Sequence, residues 1–169
     1  MFRRLALATL VLAAAQASWA ATLTFVVQLD GQQEVNASGT PGQGDPDGSG
    51  TATFLIDDVA NTISWNITVQ NLDDVIAAHI HTGVAGTNGA PLVDFSGQLT
   101  GSGLFDADLA AVLANPTGFY VNVHTTTFQP GAIRGQLAAP VAEPATLSLL
   151  AAAGALALRR RRRASPARA

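Results

Sequence analysis

The chain of 169 residues contains no cysteine. That absence excludes disulfide staples, zinc-thiolate centres and thiol nucleophiles together. Lysine is absent too, so all basic charge rests on nine arginines, and eight of these lie in the terminal segments. Between Ala21 and Ala142, Arg134 is the one basic residue against eleven acids, giving that body a net charge of −10 where the whole chain carries −3. An anionic body is repelled by nucleic acid and by anionic membrane surfaces, so cations are its natural ligands and no nucleic-acid partner is expected. Motifs of hydrolytic chemistry are missing as well. There is no G-x-S-x-G elbow, and serine, histidine and aspartate show no spacing that singles out a triad. The acid pairs Asp57-Asp58 and Asp73-Asp74 sit at turns, where solvated carboxylates are normal, rather than in a glycosidase arrangement.

What is present begins with two address signals. Arg3 and Arg4 precede an apolar run from Leu5 to Ala15 and the small-residue end Ser18-Trp19-Ala20. This predicts a secretory signal peptide over residues 1–20, cleaved at Ala20 by signal peptidase after passage through the export translocon. At the other end, Glu143 and Pro144 precede the apolar stretch Leu147 to Leu158, then Arg159, Arg160, Arg161, Arg162 and Arg163. An apolar helix of this length is short for a span, although tilt and snorkelling arginines compensate. The arginines hold the cytoplasmic side while the preceding chain is exported. The string VAEPATLSLLAAAGALALRRRRR resembles a PEP-CTERM sorting signal, with Ala142 in place of the first proline. That resemblance implies processing by an exosortase-type membrane enzyme, an inner-membrane intermediate, and a final place on the surface or in the extracellular matrix of a Gram-negative bacterium. The rival reading is a plain membrane anchor.

The body, residues 22–138, reads as one domain, followed by a linker over 139–142, the sorting tail over 143–163 and a short cytoplasmic end over 164–169. Strict alternation dominates it. Leu23, Phe25, Val27 and Leu29 share one strand face, as do Ile63, Trp65, Ile67 and Val69. Shorter strands are predicted for 50–57, 77–82, 91–95, 98–104, 119–125 and 133–137. One short helix is predicted over 106–114, capped by Asp106 and stopped by Asn115-Pro116. Seven to eight short strands with one short helix predict an all-β fold, an antiparallel β-sandwich.

All three histidines fall on two of these strands. His79 and His81 share a strand face about 7 Å apart, given a rise of roughly 3.3 Å per residue. If Ile80, Val121 and Val123 enter the core, then His79, His81, Tyr120, Asn122 and His124 face outward, and three imidazoles converge when the strands are neighbours. Imidazole suits zinc or copper, and three such ligands leave an open position. The plainer reading is that the histidines hydrogen-bond to Asp, Thr or backbone groups and order the HIHTGVAGTNGAP loop. Both readings stay open at this point. Asp45, Asp47 and Ser49, with Gly50 after them, mimic the opening of a calcium loop, but position 12 is Ile56 and a strand follows, so a turn feeding that strand is the alternative. Arg134 is expected on the same outer face as His124, pairing with an Asp or admitting an anion.

The segments Gly31-Gln32-Gln33-Glu34-Val35, GDPDGSGTATF, HIHTGVAGTNGAPLVDF and FYVNVHTTTFQPGAIRGQL, in that order, resemble the CHRD domain. Asn36 and Ala37 stand where that family more often has prolines. The resemblance implies an immunoglobulin-like β-sandwich with faint likeness to copper/zinc superoxide dismutases, whose copper ligands also include an H-x-H pair. Here the dismutase set is incomplete, since no histidine is left to bridge a second metal. Two functions follow as expectations. One is a non-enzymatic interaction or structural module of the envelope or matrix; the other is a copper- or zinc-binding protein with a redox or dismutase-like role.

Overall fold

A computed structural model of the protein describes residues 21–141. The segment read as a signal peptide, ending at Ala20, and the segment read as a sorting tail, with its apolar stretch and arginine cluster, lie outside the described residues. Eight antiparallel strands form: β1 (Thr22–Asp30), β2 (Ser49–Asp57), β3 (Thr62–Gln70), β4 (Val75–Thr82), β5 (Pro91–Asp94), β6 (Thr100–Phe105), β7 (Phe119–Thr125) and β8 (Ile133–Gln136). The antiparallel sandwich expected from the pattern is built from a single curled sheet, in the order β5-β4-β7-β8-β1-β2-β3-β6. The reason is one contact. β1 pairs with β2 along nine residues but meets β8 at a single position, Asp30 opposite Arg134, so the sheet is continuous there while it bends.

The bend folds two four-stranded halves onto one core. Phe25, Val27, Leu29, Phe54, Ile56, Ile63 and Ile67 come from the half containing β1, β2 and β3, and Ala78, Ile80, Val93, Val121, Val123 and Ile133 from the other. Each of these alternates with a residue on the opposite face, as the pleat requires. The chain crosses between the halves after β5, where Phe95 stacks on Phe54 and Trp65 at ring distances of 5.7 and 4.8 Å. Such contacts add to the area buried by the rings.

The helix α1 is shorter than predicted, Leu109–Ala114, and buries Leu109 and Val112. Asp106 does not cap it. Its carboxylate instead accepts the Asp108 N–H at 2.9 Å, making a turn two residues earlier, and Asp108 holds the cap position without a side-chain bond. Asn115 leaves helical geometry just before Pro116, as its type and place predict. Val141, in the segment read as a linker, donates its N–H to the Thr24 carbonyl at 2.7 Å and so lies beside β1.

Candidate metal centre

The histidine face is set by register. In the β4–β7 pairing His79 lies opposite Asn122, His81 opposite Tyr120 and Ala77 opposite His124, while Ala78 and Ile80 point into the core opposite Val123 and Val121. His79, His81 and His124 therefore share the face away from the core. Their ring centroids form a nearly equilateral triangle, at 5.3, 5.1 and 5.5 Å, and one nitrogen of each lies within 4.8 Å of the others.

Hydrogen bonding then fixes which nitrogens are free. His81 Nδ1 is 3.1 Å from the Gly89 carbonyl and His124 Nδ1 is 2.9 Å from the Gln129 carbonyl. A carbonyl oxygen only accepts, so each Nδ1 carries the proton and each Nε2 keeps its lone pair. Those two Nε2 atoms face each other at 3.4 Å. With no proton between them they repel, and adding one is opposed. Burial pushes His81 down to about 4 and lowers His124 as well. A metal ion held between them would resolve the opposition. Two metal–nitrogen bonds of about 2.0–2.1 Å at a near-tetrahedral angle set their nitrogens roughly 3.3–3.4 Å apart.

His79 completes the triangle from the edge. Among the described residues its Nδ1 is buried without a hydrogen-bond partner, and its Nε2 lies 3.4 Å from Asp94 Oδ1 on β5. A buried, unpartnered nitrogen beside two bare lone pairs can offer a third donor atom to a shared ion.

The face is not the solvated surface expected. Tyr120, Asn122, His124 and Arg134 are all nearly sealed, because two loops fold over them. Gln136 Nε2 donates to the Gly83 carbonyl, Arg134 to the Val84 carbonyl and Asn88 Oδ1, and Asn88 Nδ2 to the Val35 carbonyl. Gly89 N–H donates to the Tyr120 hydroxyl at 3.3 Å. Arg134 thus differs from its expected role. At 1% exposure its guanidinium has no carboxylate at ion-pair distance among the described residues. Its guanidinium lies 3.4 Å over the Tyr120 ring, whose neighbour His81 is also stacked on it at 5.0 Å.

Glu34 closes this layer. Burial pushes its carboxyl up to about 7 against the pull of the Arg134 charge, and its Oε1 has no partner. Asp45 belongs to a turn: its Oδ1 accepts the Asp47 and Gly48 N–H groups, and Ser49 opens β2. That is the geometry of a turn feeding β2.

Three residues of the layer were not legible as such in the sequence. Asp94 sits one position beyond the inward Val93, which gives its face, but nothing local says that His79 lies opposite. Asn122 shares the outward parity of His124, but nothing in the sequence says that it is buried, and Glu34 carries no signal at all, since a loop folded over a strand leaves no period.

The protein-family comparison matches residues 25–137 to the CHRD domain. No curated protein and no solved structure matches the chain.

Proposed function

The chain belongs to the CHRD domain family, and on that premise we propose that it is an extracellular module that binds one zinc or copper ion at His79, His81 and His124 and acts by binding rather than turnover. The single observation that carries this reading is the pair of bare Nε2 atoms facing each other at 3.4 Å while both Nδ1 atoms are tied to carbonyls. The plainer reading of these histidines and the metal reading then describe the same site. Each ring uses one nitrogen to hold a loop, at Gly89 or Gln129, and keeps the other for the ion. An ion there joins the two loops, which become one ordered surface for an extracellular partner.

Export through the signal peptide and sorting of the Glu143-Pro144 tail by an exosortase-type enzyme complete the proposal. They are supported by the sequence pattern and by a domain type suited to the exterior. Loss of the arginine cluster on export in a host with an exosortase is the expected outcome; a mature protein retaining Arg159 to Arg163 there is a simple membrane-anchored one.

Elemental analysis of the exported protein after zinc or copper loading tests the metal. One ion per chain is expected, and none in the H79A/H81A/H124A variant. No stoichiometric metal, or the same uptake in that variant, ends this reading. A redox role is the second reading, favoured by the partial exposure of His79, which leaves an open side. Superoxide consumption by the copper-loaded protein, absent from the triple variant, would establish it.

A further inference from the structure

We propose that Asp94, on the edge strand β5, is the positioning residue that makes His79 the third metal donor. The inference rests on the three-histidine reading above. His79 differs from its companions in that no carbonyl holds it: Nδ1 is buried without a partner and Nε2 points to the sheet edge. Asp94 stands directly opposite His79 in the β4–β5 register, with Oδ1 3.4 Å from that Nε2. Although Asp94 is a largely exposed residue, its carboxylate is anchored. The same oxygen accepts the Ser96 N–H at 2.6 Å, closing a tight turn in which Ser96 has a φ of 53°.

A neutral imidazole has one N–H to place. A carboxylate 3.4 Å from Nε2 favours it there, because its negative charge stabilises an N–H on that nitrogen and disfavours a lone pair. Nδ1 then keeps its lone pair inside the triangle. The other tautomer places an N–H on a buried nitrogen that has no acceptor and turns the Nε2 lone pair toward a negative oxygen, two penalties at once. The donor set is therefore Nδ1 of His79 with Nε2 of His81 and His124. Every remaining nitrogen faces an oxygen, at Asp94, Gly89 and Gln129, which is how outer partners orient metal-binding imidazoles. The side chain of His79 is 19% exposed where the residues His81 and His124 are buried, so this edge is the more open side of the triangle.

The test uses the full chain after export, labelled with nitrogen-15 at histidine. Only three histidines exist, so single substitutions assign every resonance. In the metal-free protein, long-range nitrogen–proton spectra should show His79 protonated at Nε2, and zinc should then shift its Nδ1. D94A should give a mixed His79 tautomer and a loss of zinc affinity of about 10- to 100-fold, with D94E restoring both. A metal-free His79 protonated at Nδ1 overturns the assignment. So does a D94A protein that binds zinc as tightly as the parent with its tautomer unchanged, or a zinc shift at Nε2 of His79. No zinc uptake by the parent protein ends the metal reading itself, whereas the tautomer is read without metal and still decides what Asp94 does.

Discussion

The two halves of the curled sheet use the same alternation for different ends. On β1, β2 and β3 the outer residues Thr24, Val26, Gln28, Thr51, Thr53, Leu55, Ser64, Asn66 and Thr68 are exposed or half-buried, so those strands have one dry face and one wet one. On β7 every residue from Tyr120 to Thr125 is buried, although polar and apolar types alternate just as regularly. Polar residues placed outward are therefore not always solvated. Where loops return over a sheet, they form a second, polar core, and there each donor and acceptor must be matched or explained.

Removing the centre of that polar core should produce the largest difference between the halves. R134A leaves the Asn88 side chain and the Val84 carbonyl without their donor and uncovers one side of Tyr120. A loss of about 3 kcal/mol or more is expected by urea unfolding, where Q28A on the wet face changes stability by less than about 0.5 kcal/mol. Equal small effects from both would erase the distinction.

Acid titration should separate the halves next, since the buried titrating groups lie in the polar core. Glu34 has a folded value of about 7 against 4.5, so the folded state holds more protons; this contribution is greatest below about 4.5 and is lost as pH rises through 7. His81 runs the other way. Its folded value of about 4 against 6.5 gives stability that is complete above about 6.5 and lost as pH falls through 4. The two slopes oppose each other between about 4.5 and 6.5, so the parent's profile is flattened there. E34Q should gain on the order of 3 kcal/mol at pH 8 and lose more of its stability on acidification than the parent. An E34Q profile parallel to the parent's would show that Glu34 is ionised without penalty.

Metal should act on one half only. Zinc at a hundred times its dissociation constant stabilises the folded chain by about 2.7 kcal/mol. Hydrogen exchange should show the added protection in residues 77–90 and 119–132, because His81 and His124 are tied to Gly89 and Gln129. Protection spread evenly into β2 and β3 would mean global stabilisation without loop stapling.

The same contrast explains what could be read from the sequence. Leu23 to Leu29 and Ile63 to Val69 disclosed their inward faces because one side of each strand meets water and the other does not. His79, His81 and His124 were legible as one face by parity alone. Their convergence depended on β4 and β7 being neighbours, a topological fact that no period encodes. That Arg134 is buried on Tyr120 rather than exposed beside an aspartate follows from residues 83–89 folding back over β8, and glycine-rich loops do not announce where they land. That the two halves form one continuous sheet likewise turns on one pair, Asp30 with Arg134, too little to leave a sequence signature.

The smallest predicted effect is the most discriminating, because it compares one residue type in both settings. Asn66 on β3 is exposed and opposes Thr53, whereas Asn122 on β7 is 2% exposed and gives its amide to the Pro130 carbonyl at 3.4 Å. That bond is long, and Asn122 Oδ1 has no partner, so the side chain is already imperfectly satisfied. N122A therefore removes one weak bond, the amide's interaction with the Glu34 carboxyl and one orphan acceptor together. The net loss should be about 1 kcal/mol, against less than about 0.5 kcal/mol for N66A. The sign carries the information. If N122A instead stabilises the protein, the orphan oxygen outweighs the bond to the 126–131 loop, and the polar core is held there by His124 and Gln129 alone.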